Sequence, residues 1–129
     1  MPGQDTPNLR AGGTIRPFRA VKASTTEDNT CLECNADESC IGVSTGDNLE
    51  FDSDNHATDG LEVRLQPGRV WVIEAGGAIT QGDELVSDAD GRAVTRDAGA
   101  GVFSIGVALQ AAAAAGDVVE IFYRPLFYC

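Results

Sequence analysis

The chain has 129 residues, 43% hydrophobic and 22% charged, and a formal net charge of −11 from 9 basic and 20 acidic residues. That balance suits one globular domain and excludes wholesale disorder. Such acidity argues against nucleic acid or an anionic membrane as partner, because both are bound chiefly through Lys and Arg.

Residues 1–14 hold only Leu9 as a large apolar side chain after Met1, among prolines and glycines. Such a segment cannot bury enough surface to offset its ordering entropy alone. It is expected to be a flexible N-terminal arm, either a frayed end or a strap that orders on a partner. From Ile15 onward the periodicity is strand-like and the pieces are short. Strands are predicted over 18–23, 30–34 and 39–44, with a strand end at 49–51 and a polar loop at 53–60. In 61–65, Leu61, Val63 and Leu65 point inward while Glu62 and Arg64 point outward. Gln66, Pro67, Gly68 and Arg69 make a turn. Residues 70–74 are the most β-prone run and a central strand.

Two hairpins follow. One turns at Gln81, Gly82 and Asp83; the other bends at Asp88–Gly91 between strands at 84–87 and 92–95. Residues 102–109 form a strand. Ala111 to Ala115 is too short for a stable helix and reads as one helical turn or a compact loop. Residues 118–123 are the last strand. Repeated strand–Gly-Asp–strand units suit a small closed or nearly closed barrel. The predicted class is all-β: a small β-barrel or sandwich of short antiparallel strands with an extended N-terminal arm. Its parts are the arm (1–14), the β-rich domain (15–123) and an aromatic tail (124–129).

Charge is laid out unevenly. Arg10, Arg16, Arg19 and Lys22 oppose only Asp5 in residues 1–22, whereas residues 23–63 contain eleven acids and no Lys or Arg. One reading is an acidic solvated surface with a basic end. The other is a basic arm that docks on an acidic partner while the acids face solvent.

Chemistry is sparse. One histidine, His56, sits in the polar loop, and no nucleophile elbow or phosphate-cradling loop occurs. No catalytic set is expected. Cys31, Cys34, Cys40 and His56 could be written as a zinc site, but the second close pair that makes such a pattern specific is missing. The favoured reading is cysteine as a small apolar residue, with a disulfide as the alternative. The segment Asp52–His56 fails the EF-hand pattern at its sixth and twelfth positions, Ala57 and Val63. The Gly82-Asp83-x-Leu85 turn looks like that of biotinyl and lipoyl domains, but the next hairpin tip has no lysine to modify. Neither metal nor cofactor is expected. No basic n-region leads an apolar run at the start, so no secretory signal is expected.

Phe122, Tyr123, Phe127 and Tyr128 crowd half of the eight aromatics into the last eight residues. They either close the core from a terminal strand or pack on a neighbouring subunit.

The order Gly77-Ala78-Ile79, Gly82-Asp83-x-Leu85, Ser87-Asp88-x-Asp90-Gly91-Arg92-Ala93-Val94, Ile105-Gly106-Val107-Ala108-Leu109 and Ala113-Ala114-Ala115-Gly116-Asp117-x-Val119-x-Ile121 resembles the capsid decoration proteins of tailed bacteriophages. These are also called cement or head-stabilising proteins. Arg16 to Lys22 and Ile41-Gly42-Val43 extend the similarity to about residues 15–123. The resemblance implies a β-rich structural protein of the virion that is not an enzyme. It would be made in the host cytoplasm and bound to the outer capsid surface, holding major capsid protein capsomers together. It would be a homotrimer, or else a dimer, touching neither nucleic acid nor membrane. The arm residues Leu9, Arg10, Ile15, Arg16, Phe18 and Arg19 would lie on the shell. Phe122, Tyr123, Phe127 and Tyr128 would meet the neighbouring subunit. The competing reading is a non-enzymatic β-barrel module for a carbohydrate or protein partner, contacted by Trp71 and residues 52–60.

Overall fold

The computed structural model describes residues 9–45, 62–63, 65–96 and 102–128. Residues 1–8, the expected strand end at 49–51, the loop at 53–60, Leu61, Arg64, residues 97–101 and Cys129 lie outside them.

The described residues form ten strands and no helix: β1 (Leu9–Ala11), β2 (Ala20–Ala23), β3 (Thr30–Glu33), β4 (Gly42–Val43), β5 (Glu62–Val63), β6 (Val70–Glu74), β7 (Glu84–Ser87), β8 (Ala93–Thr95), β9 (Val102–Ala108) and β10 (Val118–Tyr128). They make two five-stranded sheets, in the orders β4-β2-β3-β1-β5 and β6-β10-β9-β7-β8. The all-β expectation holds. One detail differs: β1 and β3 run parallel, with Arg10 opposite Thr30 and Ala11 opposite Cys31.

The second sheet is antiparallel throughout. A bridge between Ala75 and Ala93 joins the end of β6 to β8, so the sheet curls into a half-barrel. Apolar alternation explains its inner face. Trp71 and Ile73 of β6 and Val119 and Ile121 of β10 are buried at every second position. With Leu85, Ile105 and Ala108 they belong to a core cluster of fifteen buried residues, among those described. A smaller cluster of seven, including Leu9, Ile15, Val21, Val63 and Leu65, lies on the first sheet.

The sheets meet where hairpin 88–91 touches β2. Ala20 N–H donates to the Gly91 carbonyl at 2.8 Å. Gly91 has φ of +76°, and a Cβ there would stand 2.9 Å from the Ala20 carbonyl oxygen, so only glycine fits both demands. The alanine run forms the compact loop, not the helical turn, with Ala112 bridged to Ile79. The last strand runs past 123. After a bulge between Tyr123 and Leu126, Leu126, Phe127 and Tyr128 pair with Ser104, Phe103 and Val102. Residues expected as a separate tail therefore continue the strand.

Candidate functional site

Two regions carry the residues singled out above: the segment from Leu9 to Lys22, and the outer face of β10 with its neighbours.

The segment begins as a strand. Leu9–Ala11 lies between β3 and β5, and the Leu9 side chain is buried beside Val63, its register partner. Arg10 points outward, exposed. Ile15 is wholly buried. Arg16 and Glu33 form a two-pronged pair, with Nη2–Oε1 at 2.7 Å and Nε–Oε2 at 3.1 Å. Arg16 N–H also donates to Glu33 Oε2 at 2.7 Å. This hydrogen bonding holds the Arg16 guanidinium above its usual pKa. Phe18 is half-buried in the left-handed region, with φ of 58°, a conformation a bulky residue adopts only when its surroundings impose it. Its carbonyl accepts the Glu74 N–H at 3.0 Å. Arg19 is 7% exposed and bonds Glu74 Oε2 at 3.1 Å and the Asp90 carbonyl at 3.0 Å. Ser44 Oγ accepts the Arg19 N–H at 3.1 Å and donates to the Arg16 carbonyl at 2.7 Å. Lys22 pairs with Glu38 at 2.8 Å.

The basic stretch is thus a seam between the sheets. Arg16, Arg19 and Lys22 meet carboxylates of this same chain, and Arg19 ties the first sheet to β6. No pattern in the sequence links Arg16 to Glu33, 17 residues on, or Arg19 to Glu74, 55 residues on. Charge asymmetry located the cations without showing their partners.

The aromatics separate by strand face. Phe122 is 38% exposed on the outside. Tyr123 is half-buried and stacks on Trp71, ring centroids 4.1 Å apart, while its hydroxyl donates to the Cys40 carbonyl at 3.4 Å. Phe127 and Tyr128 are placed by backbone register alone. Trp71 corrects an expectation. It is 4% exposed and its indole N–H donates to the Gly68 carbonyl at 3.0 Å, so it offers no face for a sugar to stack on. Residues 52–60, its expected companions, lie outside the described residues.

Cys31, Cys34 and Cys40 are buried free thiols. Cys31 sits in the smaller cluster, Cys34 and Cys40 in the larger. Burial pushes the Cys31 thiol up to about 11 and the Cys40 thiol up to about 12, which keeps both protonated and apolar. Among the described residues, no three His, Cys, Asp or Glu side chains gather to hold a metal. An open depression of about 400 Å³ is lined by Ile41, Phe103 and the Lys22–Glu38 pair, among others. The arrangement can brace and present surfaces.

Comparison with known proteins agrees with the sequence resemblance. No curated protein matches the chain. Among solved structures, it is similar to the head fiber gp8.5 N base in bacteriophage phi29, at 21% identity and a TM-score of 0.72 over 92% of each chain. That likeness is one of fold. The model of the phage cement protein family matches residues 9–122, from β1 into β10. The chain belongs to the phage cement protein family.

Proposed function

We propose that this chain binds the outer surface of an assembled phage head and stabilises contacts between capsomers of the major capsid protein. The family match over residues 9–122 carries the reading. A structural, capsid-associated role follows from the family. The chain is made in the host cytoplasm and acts as a homo-oligomer, a trimer in the first expectation and a dimer in the second. Each contact with the shell is weak. An oligomer that bridges several capsomers raises the effective concentration of every further contact and so holds the joint.

In this reading the arm works through residues 1–8, with Arg10 exposed at its root. Leu9, Ile15, Arg16, Phe18 and Arg19 hold that root rigidly to both sheets. A deletion must therefore stop before β1, an interior strand of its sheet. Removing residues 1–8 should weaken co-sedimentation with empty shells while thermal unfolding stays as in the full chain. Undiminished binding would refute the arm's part. A full-length chain that stays in the supernatant with shells refutes the function.

A further inference from the structure

Successive residues of β2 turn their backbone groups to opposite neighbours. The Ala20 carbonyl accepts the Cys34 N–H, and the Ser24 N–H donates to the Thr30 carbonyl, both on the β3 side. The Val21 carbonyl accepts the Ile41 N–H at 2.9 Å on the β4 side. Ala23, two residues past Val21, therefore turns its N–H and C=O to the β4 side as well. The pairing with residues 41–43 has ended there. Neither group of Ala23 has a hydrogen-bond partner among the described residues. One residue of strand edge is left open.

That edge borders the depression lined by Ile41 and Phe103, of which Ala23, Asp37 and Ser39 complete the lining. Ile41 is 42% exposed and Phe103 37%, so the wall offers apolar surface. Asp37 is exposed and left-handed, with φ of 60°, a conformation Asp tolerates. Its backbone is pinned on both sides. The N–H donates to the Ser87 carbonyl at 3.0 Å, and the carbonyl accepts the Phe103 N–H at 3.3 Å. Its carboxylate has no hydrogen bond or ion pair among the described residues. Glu38 is already held by Lys22 and the Asn35 N–H. The lining thus keeps one uncompensated negative charge.

An open strand edge beside an apolar wall suits an extended peptide, bound by main-chain hydrogen bonds and selected by its side chains. The free carboxylate selects for a cation. Residues 1–8 and 46–61 of this chain hold no Lys or Arg to supply it.

We infer that this groove takes an extended segment of the shell protein, which pairs with Ala23, lays an apolar side chain on Ile41 and Phe103, and sets a lysine or arginine on Asp37. The inference rests on the proposed function and locates one of its contacts. Ala23→Pro removes the open N–H without touching a β3 rung, and proline is accepted on a strand edge. It should weaken co-sedimentation with empty shells about tenfold, and Asp37→Asn about fivefold, with thermal unfolding as in the parent. The Ala23 amide should exchange fast in the free chain and slowly on shells. Variants that sediment like the parent would overturn the inference and leave the capsid reading standing. So would a slow Ala23 amide in the free chain, because the groove would then be filled by this chain or a second copy. A peptide probe separates the two readings. Acetyl-Val-Lys-Val-Lys-Val-amide should shift the Ala23 and Ser39 amide resonances, and the same peptide with glutamate for lysine should not. Equal shifts from both peptides, or none from either, overturn the groove. Lysine-peptide binding by a chain that ignores shells supports the groove and overturns the capsid reading.

Discussion

The two sheets are held together by different means. The second has strands of up to eleven residues and supplies most of the larger cluster of buried side chains, to which Ala20 of β2 and Val43 of β4 are added from the first. Its cohesion is apolar and spread over many residues. The first has strands of two to four residues and the smaller cluster. Its cohesion leans on particular polar contacts: Arg16 with Glu33, Arg19 with Glu74, and Ser44 with the backbone of residues 16 and 19. Long strands repeat a weak interaction until it suffices. Short strands cannot, so directional side-chain bonds take over the work of fixing where they lie.

Substitutions can break that contrast. The largest effect is expected in the apolar sheet. Ile121→Ala should cost about 4 kcal/mol of unfolding free energy, and Ile15→Ala in the smaller cluster about 2 kcal/mol, because fewer buried neighbours surround the lost volume there. Equal shifts in denaturant midpoint would mean that both clusters are one mechanical unit. Next comes Gly106→Ala. A Cβ at Gly106 collides with the Phe122 carbonyl, a backbone atom in the paired strand that cannot swing aside. The expected loss is about 3 kcal/mol, read from the same midpoint; a neutral result would show that β9 and β10 slide at the bulge.

Glu74→Gln tests the seam. Arg19 is nearly buried and loses its counter-charge, which should cost about 2 kcal/mol given that Glu74 remains partly solvated. The second sheet should survive: amide exchange is expected to quicken in β2 more than in β10. Uniform quickening would erase the distinction between the sheets.

The smallest effect is a pH dependence of the first sheet. Hydrogen bonding from Lys22, then from the Asn35 N–H, holds the Glu38 carboxyl below its ordinary range. A carboxyl with a depressed folded-state pKa stabilises the fold at pH above the unfolded value, about 4.3. That contribution is lost as pH falls through the folded value. Glu38 is exposed enough for solvent to screen the pair, so the loss should be roughly 0.5 kcal/mol. Comparison of the parent with Glu38→Gln across acid pH isolates it. Parallel curves for the two would remove Glu38 from the account.

The residues by themselves determined the class of fold and most of the second sheet. Alternation in 70–74 and 118–123, and the Asp-Gly bend at 88–91, are local signals. A strand's buried face is written in neighbouring positions, so it is legible without the rest of the molecule. The same holds for Val63 and Leu65, buried as their spacing implies. The order of turn motifs pointed to the phage cement family, and the family match agrees. What the basic residues do was decided by the tertiary structure alone. Arg16, Arg19 and Lys22 looked like a free cationic strap because their carboxylate partners are distant in sequence. Trp71 looked available because a strand residue's exposure depends on which sheet curls over it. The apolar row of Val70, Phe122 and Val107 emerged only when register set the three side by side. Local periodicity specifies which side of a strand is apolar; only the folded chain specifies what that side, and each charge, meets.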